Sequence, residues 1–250
     1  MIVTKYELLL KPEQECKIGQ EWAYRLYASL LENASDSFGN YIHNTKITPI
    51  CQYITKHNNE ILWNISIFGE LAQNELCHIL ESKDSYFLNR DNISLYVENI
   101  NKDNIKDVEE LFSRSYNSSH IHKLQICTST AFKSQGQYRN IPTINWIVQS
   151  IIRQWNGSIV DCQIEDEDGE GIEKIVNGLI CNKFNIHNKS YVIKGIKIPG
   201  FVGEMIIENR IKDDFHIQLA DALLYISGYT GLGIKTGLGM GGIKHSFLEK

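Results

Sequence analysis

Between Ile2 and Leu10 the apolar residues Val3, Tyr6, Leu8 and Leu10 are set among polar ones, the pattern of a strand with one buried face. From Gln20 to Glu32 the period changes. Trp22, Ala23, Leu26, Tyr27, Leu30 and Leu31 form one stripe of an amphipathic helix. Two strands follow, Ile47–Lys56 and Ile61–Phe68, joined by the polar turn His57-Asn58-Asn59-Glu60. Ala72–Glu81 predicts a short helix, and Tyr86–Leu88 and Ser94–Glu98 predict strand. Strand, helix, two strands, helix, strand is the split βαβ order of a ferredoxin-like unit.

The second half repeats that order. His120–Phe132 predicts a long strand, and Ile144–Trp155 a helix with Trp146, Ile147, Ile151 and Ile152 inward. Ser190–Ile196 and Phe201–Glu208 predict strands around the turn Lys197-Ile198-Pro199-Gly200. Ile217–Ile226 predicts a helix with Leu219, Ala222, Leu223 and Ile226 on one face, and Gly239–Phe247 a closing strand. The chain reads as α+β, two tandem ferredoxin-like (βαββαβ, RRM-like) domains, 1–117 and 118–250. The repeat is one of architecture, not of sequence identity.

Composition narrows the class. At 250 residues, 42% hydrophobic and 22% charged, the chain can bury a core, which excludes wholesale disorder. No apolar run approaches the roughly 20 residues of a membrane span. The N-terminal stretch MIVTKYELLL lacks the basic segment and cleavage site of a signal peptide, so the expected location is cytoplasmic. Six cysteines without a C-x-x-C pair predict buried free thiols. Eight histidines without H-x-x-x-H spacing predict no metal site, and no cofactor is expected.

A net charge of −5 argues against a polyanion partner until its distribution is considered. Residues 161–173 hold seven Asp or Glu, and residues 103–110 hold four. Three windows hold none. Ser37–Asn59 carries His43, Lys46, Lys56 and His57. Leu111–Val160 carries Arg114, Lys123, Lys133, Arg139 and Arg153 with His120 and His122. Ala222–Leu248 carries Lys235, Lys244 and His245. Segregated acids leave faces that can hold phosphates, whereas a single acid-free window can be simple strand or core helix.

The sharpest feature is Gly228-Tyr229-Thr230-Gly231-Leu232-Gly233-Ile234-Lys235-Thr236-Gly237-Leu238-Gly239-Met240-Gly241-Gly242, in which seven of fifteen residues are glycine. A dinucleotide fingerprint lies between strand and helix, but this loop follows a helix and precedes a strand. A Walker loop fails because Ile234, not glycine, precedes Lys235-Thr236. A flexible linker fails because Leu232, Ile234, Leu238 and Met240 interleave with the glycines. What remains is a loop whose free N–H groups cradle nucleic-acid phosphate, through Gly231, Gly233, Gly237, Gly239 and Gly241 with Lys235.

That loop, the preceding Gly200-Phe201-Val202-Gly203-Glu204 and the helix between them resemble the C-terminal signature of the CRISPR-associated endoribonucleases that process precursor CRISPR RNA, the repeat-cleaving branch of the RAMP superfamily. The likeness spans about residues 199–246. Thr128-Ser129-Thr130-Ala131-Phe132-Lys133 also resembles the family's T-P-T-x-F strand, with Ser129 where the proline stands. The resemblance implies cleavage within each CRISPR repeat without metal, leaving 2′,3′-cyclic phosphate and 5′-hydroxyl ends. It implies the repeat RNA as partner, with effector-complex subunits and a second copy of the chain as further partners, and no membrane.

Such cleavage needs a base for the 2′-hydroxyl, an acid for the leaving 5′-oxygen and a cation for the phosphorane. Histidine suits the first two, and lysine or backbone N–H the third. The resemblance puts a catalytic histidine at or after the first helix, which selects His43, with Lys46 three residues on as phosphate stabiliser. A tyrosine of the first helix assists in some relatives. Tyr24 and Tyr27 are the candidates, and Tyr27 is preferred against a plain packing role. For RNA contact the candidates are Lys133, Arg139, Lys235 and Lys244, with Tyr138 as a stacking ring and His120 and His122 facing one side beside Arg114. Two other readings stay open, a non-catalytic RNA-binding RAMP subunit and an unrelated ferredoxin-like binder of a small anion.

Overall fold

The structure, a computed structural model, describes residues 1–16, 18–57, 60–159 and 162–249. Asn58 and Asn59 of the expected first hairpin turn lie outside these residues, as does Asp161 of the acidic stretch. The first half runs β1 (Val3–Pro12), α1 (Trp22–Leu31), α2 (Asp36–Asn44), β2 (Ile50–His57), β3 (Glu60–Phe68), α3 (Glu70–Ser82), β4 (Ser85–Leu88) and β5 (Ile93–Ile105). After α4 (Val108–Ser115) come β6 (Ile121–Thr130), β7 (Phe132–Ser134), β8 (Gln137–Arg139), α5 (Ile144–Ser158), α6 (Glu170–Gly178) and β9 (Leu179–Asn188). The chain closes with β10 (Tyr191–Ile193), β11 (Ile196–Ile198), β12 (Phe201–Asn209), α7 (Asp214–Thr230), a single 3-10 turn at Thr236–Leu238, and β13 (Ile243–Phe247).

Each half builds one antiparallel sheet. The first has the order β2-β3-β1-β5-β4, the second β13-β6-β12-β9. In both, the first strand lies beside the third and the last, which is the ferredoxin-like order twice over. Tyr6, Leu8 and Leu10 of β1 alternate inward to meet Trp22, Leu26 and Leu30 of α1 in one core. A second core gathers Leu124, Ile126, Met205 and Ile207 of the sheet with Ile147, Ile151 and Trp155 of α5 and Leu223 and Ile226 of α7. No helix among the described residues is long and apolar enough to cross a membrane.

The second unit departs from expectation at its edge. The strand beside β12 is β9, in register from Phe201↔Asn188 to Asn209↔Leu179. The predicted strand at Ser190–Ile196 is instead part of a small separate hairpin, β10–β11, which turns at Lys194-Gly195. β9 escapes a hydrophobicity reading because Asn182, Lys183, Phe184 and Asn185 are all exposed on an edge strand. Backbone pairing, not side-chain burial, holds it there. The helices α2, α4 and α6 are also additions to the sequence reading. Of the six cysteines only Cys51 is buried, and Cys162 is exposed, so the expectation of buried thiols holds at one position.

The open face of the first sheet meets the second unit. Tyr53 on β2 donates to the carbonyl of Ile243 (3.2 Å), and Lys5 on β1 donates to that of Gly228 (3.1 Å). Tyr229 donates to Asp103 on β5 (2.6 Å). Burial lowers the pKa of Lys5, although Glu7, Cys51 and Asp103 pull it upward. These contacts place the end of α7, and the glycines after it, between the two units.

Candidate functional site

The glycine-rich segment is enclosed. Gly231, Gly233, Gly237, Gly239, Gly241 and Gly242 are all buried, and Lys235 is exposed. Of the N–H groups expected to cradle phosphate, three are engaged within the chain. Gly231 donates to Ser227 O (2.9 Å), Gly233 to Ser150 Oγ (2.7 Å) and Gly241 to Ser129 O (3.1 Å), and the neighbouring Gly242 donates to Thr128 Oγ1 (2.8 Å). At those three positions the expected anion nest is corrected. These glycines serve close packing, because a buried N–H must be paired and the cheapest partners are internal. At Gly233 (φ +82°) a Cβ would collide with the Ala131 carbonyl, and at Gly242 with the Tyr53 ring.

The segment is clamped from both units. Gln52 on β2, fully buried, donates to Gly237 O (3.1 Å) and Ala23 O (3.0 Å), and accepts from Trp63 Nε1 (2.9 Å). Tyr191 donates to Leu238 O (2.7 Å). From α5, Gln154 donates to Thr236 Oγ1 (2.8 Å) and Arg153 Nη2 to Gly233 O (3.2 Å). Only the tip at Lys235, itself left-handed (φ +57°), turns its side chain to solvent.

His43 lies in the last turn of α2, not on a free loop, and is exposed. The N-terminus of α2 is capped by Ser35, whose Oγ accepts from Phe38 N (3.2 Å) and donates to Glu75 of α3 (2.9 Å). Phe38 anchors the helix in the first core. Lys46, also exposed, follows just beyond the helix. The next residues tie this loop to the glycine segment. Ile47 lies against Gly157 at the end of α5, and Thr48 against Gly237. Thr48 thus ties the stretch after Lys46 to the base of the Lys235 tip, and Ile47 ties it to α5.

Tyr27 packs its ring into the first core, and burial raises its pKa. Tyr24, one turn earlier, is half-exposed beneath Lys194 (5.3 Å). It lines a cleft of about 750 Å³ between α1, the β4–β5 turn and the β10–β11 turn. Lys133 and Tyr138 are exposed on the β7–β8 hairpin, and Lys244 on β13. Arg139 is half-buried, and its Nε lacks a hydrogen-bond partner.

His120 and His122 do not face outward together. Both hold the buried Asp221 of α7, His120 Nδ1 at 2.7 Å from Oδ2 and His122 Nε2 at 2.9 Å from Oδ1. Asn209 donates to the same carboxylate (2.6 Å), and His122 Nδ1 lies 2.9 Å from His245 Nε2. Burial works against the Asp221 carboxylate, but hydrogen bonds from His122, Asn209 and His120 carry its pKa below the ordinary value. Burial and the neighbouring His122 push His245 down to about 3. Arg114, expected beside these histidines, pairs with Asp103 (2.8 Å) and Glu110 (2.6 Å). A carboxylate meeting two imidazoles is a structural network, in which His122 is fully buried and His120 is tied through Nδ1.

Gln52, Thr48, Arg153 and Asp221 were not selected from sequence. For Arg153 a signal existed: Ser150, Arg153, Gln154 and Gly157 share one face of the helix at i, i+3, i+4, i+7.

Two ferredoxin-like units hold a glycine segment between them, the tandem architecture expected from the sequence. Residues 124–243 match the family of the CRISPR-associated endoribonuclease Cas6. Cas6 of Streptococcus thermophilus is 23% identical over 226 residues, covering 90% of this chain and 91% of that protein. Cas6 of Mycobacterium tuberculosis is 23% identical over 224 residues, covering 88% of this chain and 70% of the relative. A solved Cas6 product complex superposes with a TM-score of 0.79 at 16% identity, over 98% of this chain and all (100%) of the other, a likeness of fold. The chain is thus similar to the CRISPR-associated endoribonucleases over most of its length.

Proposed function

We propose that this chain is a metal-independent endoribonuclease that cuts CRISPR repeat RNA, built as two units divided at about residues 117 and 118. The 2′-oxygen attacks the adjacent phosphorus and forms the O2′–P bond. The P–O5′ bond breaks, leaving a 2′,3′-cyclic phosphate and a 5′-hydroxyl. His43 takes the 2′-OH proton or delivers one to the 5′-oxygen, and Lys46 offsets charge on the phosphorane. The observation that carries this reading is the exposed pair His43 and Lys46, followed by Thr48 lying against Gly237 at the base of the Lys235 tip. The solved relative that bears a bound product supports a ligand on this fold.

Lys235, Lys133, Arg139 and Lys244 are the proposed RNA contacts, with the enclosed glycines setting the position of Lys235. The test is incubation of the full chain with repeat RNA of the host's own array in EDTA, beside His43→Ala. Cleavage by the wild type with cyclic-phosphate ends, and its loss in the variant with binding retained, is the expected result. Full activity in the variant removes His43 from the mechanism. Activity only on adding magnesium removes metal independence.

A further inference from the structure

We infer that Arg153 is a phosphate-binding residue of this RNA site, set beside Lys235 and Lys46 by its dock on the glycine segment. The inference rests on the function proposed above and adds a residue to it.

The stripe Ser150, Arg153, Gln154, Gly157 explains the placement. Ser150 accepts from Gly233 N (2.7 Å), Gln154 reaches Thr236 (2.8 Å) and Gly157 receives the Ile47 side chain. One side of α5 therefore touches the glycine segment at one end and the His43–Lys46 loop at the other. Arg153 and Gly157 are one turn apart, about 6 Å of helix rise. Arg153 is exposed, and its one hydrogen bond among the described residues runs from Nη2 to Gly233 O (3.2 Å). A guanidinium has five N–H donors in a rigid fork, so most of the fork is left for a ligand.

Charge points the same way. Among the described residues no Asp or Glu lies within ion-pair distance of Arg153, Lys46 or Lys235, whereas Arg25, Arg114 and Arg210 all have carboxylate partners. An exposed arginine held on a backbone carbonyl, without a carboxylate to neutralise it, matches a phosphate oxygen pair bidentately. The neighbouring cations make the ligand a chain of phosphates rather than a lone anion. Its source here is the RNA backbone flanking the linkage brought to His43.

The test uses the full chain carrying His43→Ala to block cutting, with and without Arg153→Gln or Arg153→Lys. Binding of the repeat RNA is measured from low to physiological salt, together with thermal stability. Arg153→Gln is expected to weaken binding about ten-fold near 100 mM salt and to reduce the slope of log K against log salt by roughly 0.7 to 1, the loss of one phosphate contact. Arg153→Lys is expected to restore the slope but only part of the affinity, with melting temperature unchanged in both. An unchanged slope overturns the proposal, as does a loss of affinity that tracks a drop in melting temperature and is not rescued by lysine. If the wild type cuts RNA while Arg153→Gln binds normally, this inference alone fails. If the wild type neither binds nor cuts, the functional reading fails with it.

Discussion

The side-chain amide of Gln52 donates to the carbonyl of Gly237 at 3.1 Å, joining a strand of the first unit to the glycine segment 185 residues later. The same amide holds Ala23 of α1, and its oxygen holds the Trp63 indole. One buried side chain therefore fixes the glycine segment against both the first helix and the first sheet. Replacing Gln52 by leucine keeps the volume but strands the Trp63 N–H and two carbonyls. Each unsatisfied buried group costs about 1–3 kcal/mol. The expected result is a urea midpoint lowered by a few kcal/mol of stability. An unchanged midpoint would show that the two units hold the segment without it.

The glycines divide into two kinds. Gly233 (φ +82°) faces the Ala131 carbonyl, whereas Gly136 (φ +78°), at the tip of the β7–β8 hairpin, has nothing within 4 Å. Alanine at either position carries the left-handed penalty of roughly 1–2 kcal/mol. At Gly233 it also displaces backbone. Gly233→Ala is expected to lower the melting temperature much more than Gly136→Ala, and calorimetry of the pair separates strain from collision.

His245 gives a pH dependence with a definite sign. In the folded chain burial and His122 push it down to about 3, from the 6.5 of a free imidazole. The unfolded chain therefore binds a proton that the folded one does not, between about pH 6.5 and pH 3. Stability is full above that window and falls as pH drops through it, by up to about 1.4 kcal/mol per pH unit for one proton. Asp221 adds in the same direction at lower pH. Its depressed pKa contributes stability above 3.8 that is lost as pH falls through the folded value. Denaturant midpoints measured from pH 7 to pH 4 check this, and His245→Phe should flatten the upper part of the curve.

Tyr27 is buried in the first core, whereas Tyr24 is half-exposed. Tyr27→Phe keeps the buried ring and should leave RNA cleavage near wild type, whereas Tyr27→Ala opens a cavity that costs about 3–5 kcal/mol. A large fall in cleavage rate for Tyr27→Phe, with stability intact, would return its hydroxyl to the site.

The positions proposed to carry chemistry are legible to different depths. His43, Lys46 and Lys235 stand out by type and by the acid-free stretches around them, and all three are exposed. The glycine segment was equally visible, but its burial was not. Glycine reports that something approaches closely, not whether it is RNA or the protein's own Tyr53, Ala131 and Thr48. Asp221 looked like an ordinary helix residue, yet it meets His120 and His122 across about a hundred residues.

By itself the sequence determined the two βαββαβ courses, because a strand or helix with one buried face must repeat its apolar residues at the period of its own geometry. It also determined the loop signature that ties the chain to its relatives. Only the tertiary structure decided that the polar strand Leu179–Asn188 completes the second sheet, and that the glycines are sealed between units. It alone docked Arg153 on Gly233. Those outcomes depend on which backbone groups and surfaces meet when two sheets pack, and no local period records a partner a hundred residues away.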